Sequence, residues 1–233
     1  MARAAKAAAT PKADPRGRIV DALMELAGER RWEDISISDV CARADVSLAD
    51  FRDLFPSKGA VLAGFSRRID RIVLEATGDE MAGEPARERL FDVLMRRLDA
   101  MAPARRGLRE IAGWARRDPL AALALNQMAL NSMRFMLEAA GVSPDGPLGL
   151  AKTQGLVLIW LRVLDVWFDD DDPGLAATMA ALDRELTRGG EWARIGERLG
   201  DIARPLRNLA GALMAQRRAP PRRRKPDDEP IEG

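Results

Sequence analysis

Apolar residues recur along this chain at intervals of three and four, the repeat of an α-helix with one buried face. Ile19, Leu23 and Leu26 set the first such face behind Asp14-Pro15, a capping residue followed by one suited to a first helical position. Ser36 opens the next helix, with Asp39 placed to complete a capping box, and Val40 and Cys41 point toward a core. The turn Ala44-Asp45-Val46-Ser47 follows, where Asp45 tolerates a left-handed backbone better than most residues. Ser47 starts a short third helix ending near Phe55-Pro56. Ser57 caps a fourth, on which Val61, Leu62, Phe65, Ile69 and Ile72 or Val73 keep helical spacing.

Further helices are expected at about 85–101, 104–117, 119–140, 150–168 and 173–188, with Asp118-Pro119 as a start and Gly141 as a stop. A last apolar seam runs through Trp192, Ile195, Leu199, Ile202, Leu206, Leu209 and Leu213 in heptad spacing, with Pro205 expected to kink or break it. The pattern divides the chain into a flexible basic arm (1–14), a small helical head (15–78), a larger helical body (79–216) and a disordered tail (217–233).

Composition agrees with an all-α fold: alanine, leucine, arginine and glutamate dominate and strand signals are almost absent. The chain has no histidine, which removes the commonest general base and transition-metal ligand, and its single Cys41 forms no internal disulfide. No nucleophile–base pair, phosphate loop or metal constellation stands out, so an enzyme is not expected, and no cofactor or metal is implied. Of the acidic run Asp169 to Asp172, Asp172 reads as the cap of a helix begun by Pro173. Absence of a secretory signal or a long apolar run points to the cytoplasm. The net charge of +1 gives no general attraction to nucleic acid; positive charge gathers at the two ends.

The stretch from Ile35 to Phe65, with Ser36, the Ala44–Ser47 turn and Phe55-Pro56-Ser57-Lys58, resembles the helix-turn-helix head of TetR-type transcriptional regulators. That resemblance implies a DNA-binding head and, in the body, a ligand cavity and a two-fold interface. It assigns DNA contact to Ser36, Ser47, Ala49, Arg52, Asp53 and Lys58. Placing Phe51 inward puts Leu48, Leu54 and Phe55 within about 60° of it. Ala49 and Asp53 then face outward, flanked by Asp50 and Arg52. Asp50 reads as the partner of Ser47 in a second capping box. Between Ser36 and Lys58 three cations meet four carboxylates, a poor match for a phosphate backbone that basic residues neutralise. Lys58, with the amides that open the fourth helix, and the arm's Arg3, Lys6, Lys12, Arg16 and Arg18 are expected to supply phosphate contacts.

In the body the same resemblance nominates Trp114, Met128, Met133 and Trp160 for a cavity holding an apolar small molecule, against the plainer reading of core packing. The nearly all-apolar helix at 150–168 suits both a core and half of a homodimer interface. A weaker likeness, over Val166 to Arg188, is to the TetR-fold lipid-binding accessory protein of ubiquinone biosynthesis. That reading implies no DNA binding, and contact with a membrane surface through residues 192–213. The two functions remain open at this stage, because fold alone does not decide between them.

Overall fold

A computed structural model describes residues 14–78, 83–146 and 148–190. The basic arm, the Trp192–Leu213 seam and the tail lie outside the described residues. The described residues are helical throughout, without strands. Helices α1 (Pro15–Glu29), α2 (Ile37–Ala44), α3 (Leu48–Leu54) and α4 (Lys58–Ala76) come first. Then follow α5 (Ala86–Met101), α6 (Arg105–Ala115), α7 (Pro119–Ala139), α8 (Gly149–Asp169) and α9 (176–190). A 3-10 turn at Trp32–Asp34 joins α1 to α2, and another at Ala102–Ala104 joins α5 to α6.

Local chemistry sets the boundaries of the first four helices. The Asp14 side chain accepts from the Arg16 amide, with Pro15 at the first turn. Ser36 and Asp39 form a reciprocal capping box, and Ser47 and Asp50 form a second. Between them Asp45 takes the left-handed conformation (φ 51°, ψ 55°) that folds α3 back against α2. The Ser57 hydroxyl accepts from the Ala60 amide at 3.2 Å.

The acidic loop departs from expectation. Helix α9 begins at residue 176 rather than at Pro173, because Leu175 takes a positive φ of 52° and interrupts helical geometry. Asp172 accepts from the Gly174 and Ala176 amides, each at 3.1 Å. Asp170 is buried and accepts from both the amide and the hydroxyl of Thr178, at 2.8 and 2.6 Å. Asp169 pairs with Arg109. The run therefore ties α8 to the start of α9, and among the described residues no cluster of side chains suits a metal ion.

One continuous apolar cluster runs through head and body. Ile19, Leu23, Phe51 and Phe55 belong to it in the head, and Leu94, Leu98, Met133, Val157 and Trp167 in the body. Helix α1 packs on α2, α4 and α6, and α7 packs on α4, α5 and α8. Helix α4 thus belongs to both halves.

Candidate nucleic-acid interface and effector cavity

Helix α3 projects Ala49, Asp50, Arg52 and Asp53 to solvent while Phe51 and Phe55 are buried. Leu48 was expected to face inward and instead is 58% exposed. It stands at the first position of α3, between the exposed Ser47 and Ala49. Leu54 is half-buried against the core. Ser36 and Ser47 lie at the exposed helix starts, their hydroxyls bonded to Asp39 and Asp50 at 2.6 and 2.7 Å. Both carboxyls are held below the usual carboxylate range by the serine hydroxyl first and the serine amide second. Asp50 therefore remains negative at neutral pH on the face that would meet DNA.

The cations of the head are largely engaged elsewhere. Arg43 grips Glu29 at 2.7 and 2.9 Å and reaches Glu25 at 3.3 Å. Arg18 donates to the carbonyls of Ala44 and Asp45 at 2.8 and 3.1 Å and pairs with the Asp45 carboxylate at 3.5 Å, so it braces the turn. Arg16 lies 4.5 Å from the centroid of the Phe55 ring.

Lys58 was expected to reach outward for a phosphate. Instead its ammonium donates to the carbonyls of Trp32 and Ile35 at 2.9 and 2.5 Å and sits 4.8 Å from the Trp32 ring centroid. Burial pushes its pKa below the usual lysine value. Of Arg18, Arg43, Arg52 and Lys58, only Arg52 makes no ion pair or hydrogen bond among the described residues. At the start of α4 the Ala60 amide is taken by Ser57, which leaves the Lys58 and Gly59 amides as the donors the helix N-terminus offers an anion.

Two cavities open beside α4. The first, of about 870 Å³, is bordered by Trp32, Lys58, Trp114, Met128 and Phe135. Trp114 stacks obliquely on Trp32, with ring centroids 5.4 Å apart. The second, of about 400 Å³, lies among α4 to α8 and is walled by Phe65, Ile111, Met128, Met133 and Trp160. The nominated residues are therefore divided: Trp114 faces the first, Met133 and Trp160 the second, and Met128 both. The sequence reading missed Arg97, which also lines the second cavity although it is 5% exposed. Its signal was legible, since Arg97 interrupts the buried stripe Leu90, Val93, Leu94, Leu98 and Met101.

The architecture is one already known for regulators of transcription, a capped helix-turn-helix head joined by a long helix to a helical body. The chain has the TetR-type fold. It is similar to the TetR regulator of Nitrosomonas europaea, with 26% identity and a TM-score of 0.61 over 76% of this chain and 99% of the other. It also superposes on a TetR regulator from a Rhodococcus species, with 20% identity and a TM-score of 0.53 over 75% and 95% of the two chains. A third similar structure is a TetR-family regulator from Streptomyces coelicolor, at 15% identity and a TM-score of 0.50 over 86% and 99%. All three are named as transcriptional regulators. No protein-family model and no curated protein matches the chain.

Proposed function

We propose that this protein is a cytoplasmic, homodimeric transcriptional repressor of TetR type whose grip on operator DNA responds to an apolar small molecule. The observation that carries the reading is the head itself. Two reciprocal capping boxes and a left-handed Asp45 set α3 against α2 in the arrangement of a DNA reader, although the sequence of that helix is acidic. Helix α4 runs from this head to both cavities and gives them a common element. Ser36, Ser47, Ala49, Arg52 and Asp53 are the contact set on this reading, with the α4 amides taking the part first given to the Lys58 side chain. Trp114, Met128, Met133 and Trp160 remain the residues proposed for effector contact.

The test is binding of the full chain to genomic fragments at low and moderate salt. A palindromic site should be retained over random duplex, with affinity that falls as salt rises. Arg52→Ala should weaken that complex and Asp53→Ala should tighten it. No retention of any duplex at low salt would refute the regulator.

One observation favours a second reading. With Arg18, Arg43 and Lys58 engaged inside the head, α3 presents two carboxylates against one guanidinium. A lipid-binding accessory protein on the same fold needs no affinity for DNA. It requires that the purified chain carry an isoprenoid or acyl lipid and float with anionic vesicles.

A further inference from the structure

The first cavity opens between α4 and α7, and its lining has a direction. On α4 it runs from Ser57 to Asp70, roughly 20 Å of helix. On α7 it runs from Ala121 to Phe135. The Ser132 hydroxyl donates to Asp70 Oδ1 at 2.5 Å, so the later turns of the two helices meet at one end. At the other end Lys58 sits 4.8 Å from the Trp32 ring centroid, and Trp32 stacks on Trp114. The cavity thus has an aromatic end at the head and a polar end beside Asp70, with Leu62, Leu125 and Met128 between them.

The polar end offers free donors on both walls. Arg67 of α4 and Asn131 of α7 are exposed, line the cavity, and make no ion pair or hydrogen bond among the described residues. Both side chains can change rotamer in solvent, so no buried group has to move for them to reach a molecule in the mouth.

Charge then decides what they hold. Among the described residues the charged side chains that line the cavity are Lys58, Arg67 and Asp70. Asp70 is matched by Arg97, and the two side chains are only 13% and 6% exposed. Lys58 gives two of its three donors to the Trp32 and Ile35 carbonyls. Arg67 is left as the unpaired charge at the polar end. An ammonium would face this guanidinium, and a hydrocarbon would leave both donors to water. A carboxylate meets the amide N–H and a planar guanidinium that matches its two oxygens.

We propose that the first cavity binds an amphiphilic carboxylic acid, its carboxylate on Arg67 and Asn131 and its apolar body along Leu62 and Met128 toward Trp114. From Arg67 to Lys58 α4 spans about 14 Å, the reach of an extended chain of about twelve carbons. The proposal rests on the reading of a body that holds an effector, and it fixes the cavity and the chemistry. Such a ligand touches head and body together, through Trp32 and Lys58 on one side and Trp114 and Met128 on the other.

Dodecanoate, methyl dodecanoate and dodecylamine, each kept below the concentration at which it aggregates, are titrated into the full chain by calorimetry. Dodecanoate should bind about tenfold tighter than its ester and tighter than the amine. Arg67→Gln should remove most of that advantage and leave the ester's affinity as it was. Two alanines on α7 locate the site, because Ala124 lines only the first cavity and Ala122 only the second, and both are exposed. Ala124→Trp should weaken dodecanoate about tenfold or more, and Ala122→Trp should not. Arg67 and Ala124 are surface positions, so these variants should keep the helical circular dichroism of the natural chain. An affinity for dodecanoate unchanged by Arg67→Gln, or lost only in Ala122→Trp, would overturn the proposal, as would preference for the amine or the ester. In those cases the effector reading stands with a different ligand or cavity. Dodecanoate held as described but without effect on the operator complex would keep this assignment and remove the effector reading.

Discussion

Lys58 shows how one side chain can belong to a recognised pattern and still do different work. Its position after Phe55-Pro56-Ser57 is plain in the sequence. The direction of its ammonium is not, because the carbonyls that draw it in belong to Trp32 and Ile35, in and just after the 3-10 turn more than twenty residues earlier. Lys58→Met should leave both carbonyls short of a donor and lower stability to urea by about 1–3 kcal/mol. The salt dependence of DNA binding should stay unchanged. A slope shallower by about one unit would mean that the ammonium neutralises a phosphate after all.

The two capping carboxylates carry a pH dependence of definite sign. Serine hydrogen bonds lower the pKa of Asp39 and Asp50 in the folded head, below the ordinary 3.8. Their contribution is therefore fully present above the unfolded value and lost as pH falls through the folded one. Acidification below about pH 4 should loosen α2 and α3 beyond what Asp39→Asn with Asp50→Asn shows. Helical circular dichroism followed against pH measures the difference, and parallel curves for the two proteins would exclude the capping pair as its source.

At the scale of elements, the joint between head and body depends on an absent side chain. A Cβ on Gly107 of α6 would lie 2.6 Å from the Met24 carbonyl oxygen and 3.2 Å from the Ala27 Cβ, both on α1. The obstacle is backbone, which cannot turn aside as a long side chain does. Gly107→Ala should force α6 from α1 and lower stability by about 1–3 kcal/mol, read as the midpoint of thermal unfolding. An unaltered midpoint would show that the joint gives way easily. Spacing puts Gly107 in register with the buried Ile111 and Ala115, but it does not show that α1 backbone fills the place of its side chain; an added Cβ on Gly113 would meet only the far end of Arg117. The helices themselves were legible, since capping residues and apolar spacing act within a few positions. Close approach between helices, the outward turn of Leu48 and the late start of α9 depend on partners or backbone angles that no local spacing records. Arg97 lies between these cases. Its stripe declared it buried, but only the fold brings Asp70 and Ser132 to meet it.

For the whole molecule, the proposed function calls for a pair of heads, because a single acidic α3 would offer little grip and two held at a fixed spacing would bind one duplex together. Helix α8 carries a surface suited to such pairing. Leu150, Leu158 and Leu161 are 74%, 50% and 47% exposed on a helix whose other side buries Leu156, Val157, Trp160 and Val163. Spacings of eight and three residues put these leucines on one side of α8, where a second apolar surface could cover them. Leu150→Glu with Leu158→Glu places charge there at two positions that line neither cavity, so the monomer fold should survive. Sedimentation should then report a monomer where the natural chain reports a dimer, and affinity for a palindromic duplex should drop to that for a single half-site. Loss of DNA binding without loss of the dimer would place the two-fold contact elsewhere and give α8's leucines a different partner.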